Sequence, residues 1–477
     1  MRENSKLSIL KLCSLFIFAL GIHLAGTWIL PLMDRDETWY AEVSREMNER
    51  GDHLVPHLYN QFWLEKPPLL YWCQSTSYRI FGDNEFGARF PAAMASALTT
   101  LVIFGFCLRL HGSQRIAWRA AIAFTLCASM VVLGKAGLTD VPATLFTTIA
   151  AWAGWELLAS NESRRSNTGW WWAFYLSLAM AALVKGPVAI LPIGGLLVFW
   201  KWAGVPGFYR IMKWGRGLAI AVTLSALWYV PVQVLTKGKL FSVFIVQQAL
   251  ERSVTSDHGH GSTSVLAYLA MLPFYFLLVF PAFFPWSIWL PNLLRRFKRQ
   301  RSRADLYLMS GILFTFVLFT LMRTKLPFYT LPAYPLLACM VAPLLPEASF
   351  VWWSAGMLAF NLIASFIFFP LVAPYSVSKQ LAKAEVLPRE TAFATVGGQE
   401  PSLVWYFRRQ IRAFNLQIRE DEVADYMRKP GPRLCILPAE TAAQILLDPG
   451  WKIVTAHGFN ISKGRSIELS MIYANLP

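Results

Sequence analysis

The run Asp34-Arg35-Asp36-Glu37-Thr38-Trp39-Tyr40-Ala41-Glu42 sets four carboxylates at the end of a long apolar segment. Carboxylates at the rim of a bilayer are costly unless solvated, paired or used. The run therefore reads either as a solvated helix start or as part of a site. Similar polar groups recur at the ends of later apolar runs: Glu65-Lys66-Pro67-Pro68, Lys135 with Thr139-Asp140, and Lys185-Gly186-Pro187. Arg252, Asp257, His258 and His260 share one polar loop, and Arg323, Lys325 and Tyr329 another. Each has a plain structural reading: an interfacial ion pair for Glu65-Lys66, a helix cap for Asp140, a corner for Lys185, solvation for the histidines, snorkelling for Lys325. Together, isolated carboxylates (Asp36, Asp140) and fixed cations (Lys66, Arg252, Lys325) suit one chemistry. A phosphate leaving group needs positive charge where negative charge develops, and an attacking hydroxyl needs a carboxylate to take its proton. A sugar carried on a lipid phosphate brings that chemistry to the membrane face.

The elements that must position these groups are apolar helices. The 477 residues are 55% hydrophobic and 15% aromatic, with 20 Trp, and the mean hydropathy is +0.42. Such a composition implies a polytopic α-helical membrane protein. Runs able to cross ~30 Å of hydrocarbon lie near 9–32, 90–110, 116–134, 139–159, 170–184, 187–204, 217–235, 265–289, 305–322, 328–346 and 350–373. Eleven spans are expected, with kinks or re-entrant turns in the Pro-rich 265–289. The first run lacks a small-x-small cleavage site and is expected to stay as an anchor.

A net charge of +16 raises nucleic-acid binding. However, the densest basic cluster, residues 295–303, lies between two apolar runs and has no folded platform, as a cytoplasmic loop would. With the N-terminus cytoplasmic, the inner segments hold 18 basic and five acidic residues, and the outer loops before residue 374 hold 13 of each. That asymmetry obeys the positive-inside rule. It places every polar cluster named above on the outer face and the C-terminus outside.

After residue 373 the composition turns mixed and charged. Helices are expected near 378–387 and 417–428, with strands in "RLCILPAE" and the final 27 residues. The expected domains are thus a transmembrane catalytic domain over 1–373, with a first outer loop at 33–89, and a small extracytoplasmic α/β domain over 374–477. Cys13, Cys107, Cys127 and Cys339 read as small core residues, while Cys73 and Cys435 lie in segments expected outside the membrane. The Asn460-Ile461-Ser462 sequon is most simply a chance match.

"DETWYAEVSREMNERGDHLVPHL" and "FWLEKPPLLYW" resemble the first outer loop of the GT-C glycosyltransferases related to aminoarabinose transferases and protein mannosyltransferases. The similarity continues in order through "GLTDVPATLF", "ALVKGPVAILP" and "RTKLPFYTLPAYPLLA", covering about residues 30–345. The resemblance implies a bacterial inner-membrane enzyme that moves a sugar, with inversion, from a polyprenyl-phosphate donor to a lipid, glycan or protein acceptor, lipid A among them. It implies Asp36 and Asp140 as catalytic acids and Lys66, Arg252, Lys325 and Tyr329 as donor-phosphate ligands, with Glu37, Tyr40 and Glu65 in support. Aminoarabinose transferases usually carry Arg where this chain has Trp39. No cofactor is required by the sequence; a divalent metal, if used, would fall to Glu65, His258 and His260. Nucleic acid is not an expected partner. A secondary transporter or lipid flippase is the competing reading, which calls for ionisable groups near the midplane and an inverted repeat.

Overall fold

The computed structural model describes residues 9–163, 167–244, 265–388, 391–397, 401–408, 410–411, 416–460 and 464–474. The chain is a polytopic helical membrane protein. Among the described residues, five helices are long and apolar enough to cross a bilayer: Glu85–His111, Thr168–Ala203, Phe208–Leu235, Arg303–Leu321 and Glu347–Tyr375. A sixth arises if the pair Leu266–Ala282 and Trp286–Arg299, bent by 115°, forms one broken span. That bend falls in the Pro-rich run where a kink was expected. Other apolar runs of the expected eleven form shorter or interrupted helices: the first is Ile9–Leu24, with 16 residues, and 116–134 is broken at Cys127, where the backbone turns extended. At 36 residues the run Thr168–Ala203 would be about 54 Å long if straight. Its helical geometry lapses at Lys185 (φ −150°, ψ 34°) and at Gly186 (φ 43°, ψ −97°).

Contacts divide the chain into two compact units. The first contains Met1–Ala25, Leu64–Cys73 and Arg89–Leu362. Its core is one large cluster of buried aliphatic and aromatic side chains. Close helix crossing relies on small residues, as is usual in membranes: a Cβ added at Gly195 would lie 2.9 Å from the Cα of Gly311. Arg303–Leu321 starts at a capping box, in which Ser302 Oγ accepts the Asp305 N–H and the Asp305 carboxylate accepts the Ser302 N–H.

The second unit contains Gly26–Trp63, Gln74–Ala88 and Ile363–Pro477. It opens with the helix Asp36–Arg50 and a hairpin of β1 (His57–Leu58) and β2 (Gln61–Phe62). Its sheet has β3 (Ala392–Thr395), β4 (Leu416–Gln417), β5 (Arg433–Pro438), β6 (Trp451–Asn460) and β7 (Arg465–Ala474), in the order β4-β3-β5-β7-β6. The first three strands are parallel and β7 runs antiparallel to β5 and β6. Alternate residues serve the two faces. Phe393, Leu434, Ile436 and Met471 pack under the helices Val377–Ala384 and Pro401–Phe407. Ala394, Cys435, Leu437 and Ile472 pack under Val423–Arg428. One cysteine corrects an expectation: Cys13 is exposed because its apolar helix turns it away from the core. Cys435 is fully buried because strand alternation turns it into the sheet core.

Candidate functional site

In the second unit, the acidic run is sorted by partnership. Asp34 accepts the Ser402 N–H at 3.0 Å and the Asn460 side-chain amide at 2.9 Å. Glu37, buried, accepts the Met33 N–H at 2.8 Å. Glu42 is buried under a bidentate bond from Arg45, at 2.7 and 3.0 Å, and Arg45 also meets Glu49. Asp52 accepts the Leu54 and Val55 N–H groups. Tyr40 is buried in the same helix. Asp36 differs: half-buried at the first position of its helix, it has no hydrogen bond or ion pair among the described residues. The carboxylate there also lies at the positive end of the helix dipole.

Glu46 fixes the hairpin that follows. Its carboxylate accepts the N–H groups of Tyr59 (2.6 Å) and Asn60 (3.3 Å). These two turn residues both have positive φ, 53° and 65°, the geometry of a tight two-residue hairpin. Burial, and then the Glu42 charge, push the Glu46 carboxyl up to about 7. Trp63, beside β2, packs on Trp39 with ring centroids 5.6 Å apart.

In the first unit, Asp140 opens the helix Asp140–Ser163 and Lys185 closes Thr168–Lys185. The two helices pack as neighbours, and the pairing brings the two ends together. Lys185 Nζ lies 2.5 Å from Asp140 Oδ1 and 4.7 Å from the Tyr329 ring centroid, so Asp140, Lys185 and Tyr329 form one group. Lys325 is nearly buried and donates to the carbonyls of Phe319, at 3.1 Å, Thr320 and Met322. It therefore caps the end of Arg303–Leu321, with Tyr268 and Tyr275 each 5.7 Å from its ammonium. Burial pulls the Lys325 ammonium down to about 8. Lys66 is half-buried, its Nζ 3.4 Å from the Glu65 carbonyl, and Pro67-Pro68 lead into the helix Leu69–Phe81 as an N-terminal proline signal predicts.

Arg252, His258 and His260 lie outside the described residues. No three His, Cys, Asp or Glu side chains among the described residues group to hold a metal. Lys185 was legible only as a corner, since nothing in its neighbourhood announces a partner 45 residues earlier.

The dolichyl-phosphate-mannose-protein mannosyltransferase family model matches residues 8–237. An uncharacterised protein of Aquifex aeolicus is 24% identical over 448 residues, 91% of this chain and 83% of its own length. The undecaprenyl phosphate-alpha-4-amino-4-deoxy-L-arabinose arabinosyl transferase of an Enterobacter species is 28% identical over 331 residues, 66% of this chain and 56% of its own length. This chain thus spans little more than half the length of that transferase. The crystal structure of ArnT from Cupriavidus metallidurans bound to undecaprenyl phosphate has the same fold. Its TM-score is 0.80 at 17% identity, and the match covers 98% of this chain and 100% of that one.

Proposed function

With the chain an ArnT-like GT-C protein, we propose that it transfers a sugar from a polyprenyl-phosphate donor, with inversion, to an acceptor at the outer face of the bacterial inner membrane. The observation that carries this reading is Asp36. Seven other carboxylates lie between residues 33 and 65, and each has a partner. Of the carboxylates in this stretch, Asp36 alone has no described partner and is left to accept a proton.

In the proposed step the acceptor hydroxyl attacks the anomeric carbon opposite the phosphate. The acceptor O–C1 bond forms as the C1–O bond to phosphate breaks, the hydroxyl proton passes to Asp36, and polyprenyl phosphate leaves with the bonding electrons. Lys66, Arg252, Lys325 and Tyr329 are assigned to the phosphate. Lys325 would exchange a carbonyl of its cap for a phosphate oxygen. Asp140, held by Lys185, orients the cationic group that Tyr329 adjoins. Glu37, Tyr40 and Glu65 shape the surroundings. The acceptor class we favour is a lipid, with a lipid A sugar or phosphate first among candidates. An anionic phosphate acceptor would need orientation by Asp36 rather than deprotonation.

The same reading carries eleven spans, a cytoplasmic N-terminus, and the 374–477 segment as an extracytoplasmic domain following a 1–373 transmembrane domain. No cofactor is assigned, and a metal at Glu65, His258 and His260 is tested by adding a chelator to the assay. Purified protein would be given polyprenyl-phosphate sugars and cell-envelope lipids. Release of polyprenyl phosphate by wild type, with its loss in Asp36→Asn, is the expected result. Equal release by both would remove Asp36 from its role, and no release by folded wild-type protein would overturn the transferase reading.

A further inference from the structure

Asp36 is the last link of a tethered segment. Leu32 donates its N–H to the Tyr406 hydroxyl at 2.9 Å, and that hydroxyl donates to Glu85 at 3.2 Å. Met33 is bound on both sides, its N–H to Glu37 and its carbonyl to the Thr38 hydroxyl at 2.5 Å. Asp34 uses both carboxylate oxygens on groups more than 360 residues downstream, Ser402 and Asn460. Asn460 is itself 3% exposed at the end of β6. Arg35 then takes φ 70° and ψ −125°, in the region that favours glycine. A non-glycine residue stays there only where its surroundings over-determine it. The next residue is Asp36.

We propose that Asp34 is a positioning residue, through which the C-terminal sheet segment fixes the backbone that presents Asp36. This gives the residues after 363 a part in the reaction without requiring them to touch substrate. It rests on the reading of Asp36 as the proton acceptor. The chemistry of the tether is specific: a carboxylate at 34 accepts, and an amide at 460 donates. Exchanging the two types should preserve the bond with its polarity reversed, Asn at 34 still accepting from the Ser402 N–H.

The test is a double-mutant cycle in the full chain, read by the transfer assay and by hydrogen exchange of residues 31–40. Asn460→Asp alone sets two carboxylates face to face. It should lower kcat about 10–100-fold, as displacement of a reacting group does, with donor KM unchanged and exchange of 31–40 accelerated. Adding Asp34→Asn should restore most of kcat and slow the exchange again. Asn460→Ala, which removes the donor without adding charge, should give a smaller fall in the same direction. Wild-type kcat in both Asn460 variants would overturn the proposal, as would a double variant no better than Asn460→Asp. If instead Asp36→Asn proves fully active, the proton-acceptor assignment fails. The exchange data then still report whether residues 34 and 460 order the segment.

Discussion

Lys185 Nζ sits 2.5 Å from Asp140 Oδ1, with side-chain exposures of only 15% and 7%. A buried ion pair gives little net stability against an apolar replacement, but breaking it strands a charge. Lys185→Met should therefore destabilise the protein by about 3–5 kcal/mol, and Lys185→Met combined with Asp140→Asn by clearly less than the sum of the two single changes. Thermal unfolding of the four proteins in one detergent would decide. Additive losses would mean that the pair is not coupled.

Lys325 predicts opposite pH trends for activity and stability. Its ammonium titrates near 8 in the fold, below the ordinary 10.5, because burial disfavours the charge. A phosphate ligand must be protonated, so donor KM should climb above pH 8, approaching tenfold per pH unit for a single essential proton. Stability should move the other way. The folded state has lost this proton between pH 8 and 10.5 while the unfolded state still binds it, so this group's contribution rises with pH there. Lys325→Arg, which stays charged, should flatten the KM profile. An unchanged profile would detach Lys325 from the donor.

The sequence distinguishes the acidic run as a whole but not its members. Asp34 and Asp36 are chemically alike and two residues apart, yet one is tied to Ser402 and Asn460 while the other has no described partner. Periodicity reports local faces. It cannot report a hydrogen bond to a residue 426 positions away. Pro67-Pro68 did announce a helix, because proline at a first turn acts through its own backbone. Lys325 was legible as a cation but not as a helix cap, since that depends on where the preceding helix ends. The interruption at Cys127 has a similar cause: hydropathy counts apolar residues through it, where the backbone turns away from helical geometry.

Glu46 offers a pH test outside the membrane segments. Its carboxyl, raised to about 7 by burial and by Glu42, holds a proton in the fold that the unfolded chain would release nearer 4.5. Stability from this group should accordingly be present at low pH and fall as pH rises from 4.5 through 7, by at most about 1.4 kcal/mol per pH unit. Glu46→Gln should flatten that slope in thermal unfolding followed from pH 4.5 to 7.5. A slope identical to wild type would assign the titration to another group.

Arg35 allows strain to be separated from positioning. Ordinarily Ala is more stabilising than Gly, because Gly loses more backbone entropy on folding. At φ 70° the Cβ cost of roughly 1–2 kcal/mol outweighs that entropy. Arg35→Gly should therefore be more stable than Arg35→Ala by up to about 1 kcal/mol, both having lost the same side chain. Activity should not follow stability: a glycine lets the backbone before Asp36 sample more conformations, so Arg35→Gly should show the lower kcat of the two. Thermal midpoints and transfer rates for the pair suffice. The ordinary order in stability, Ala above Gly, would mean that the chain before Asp36 is not strained in the folded protein.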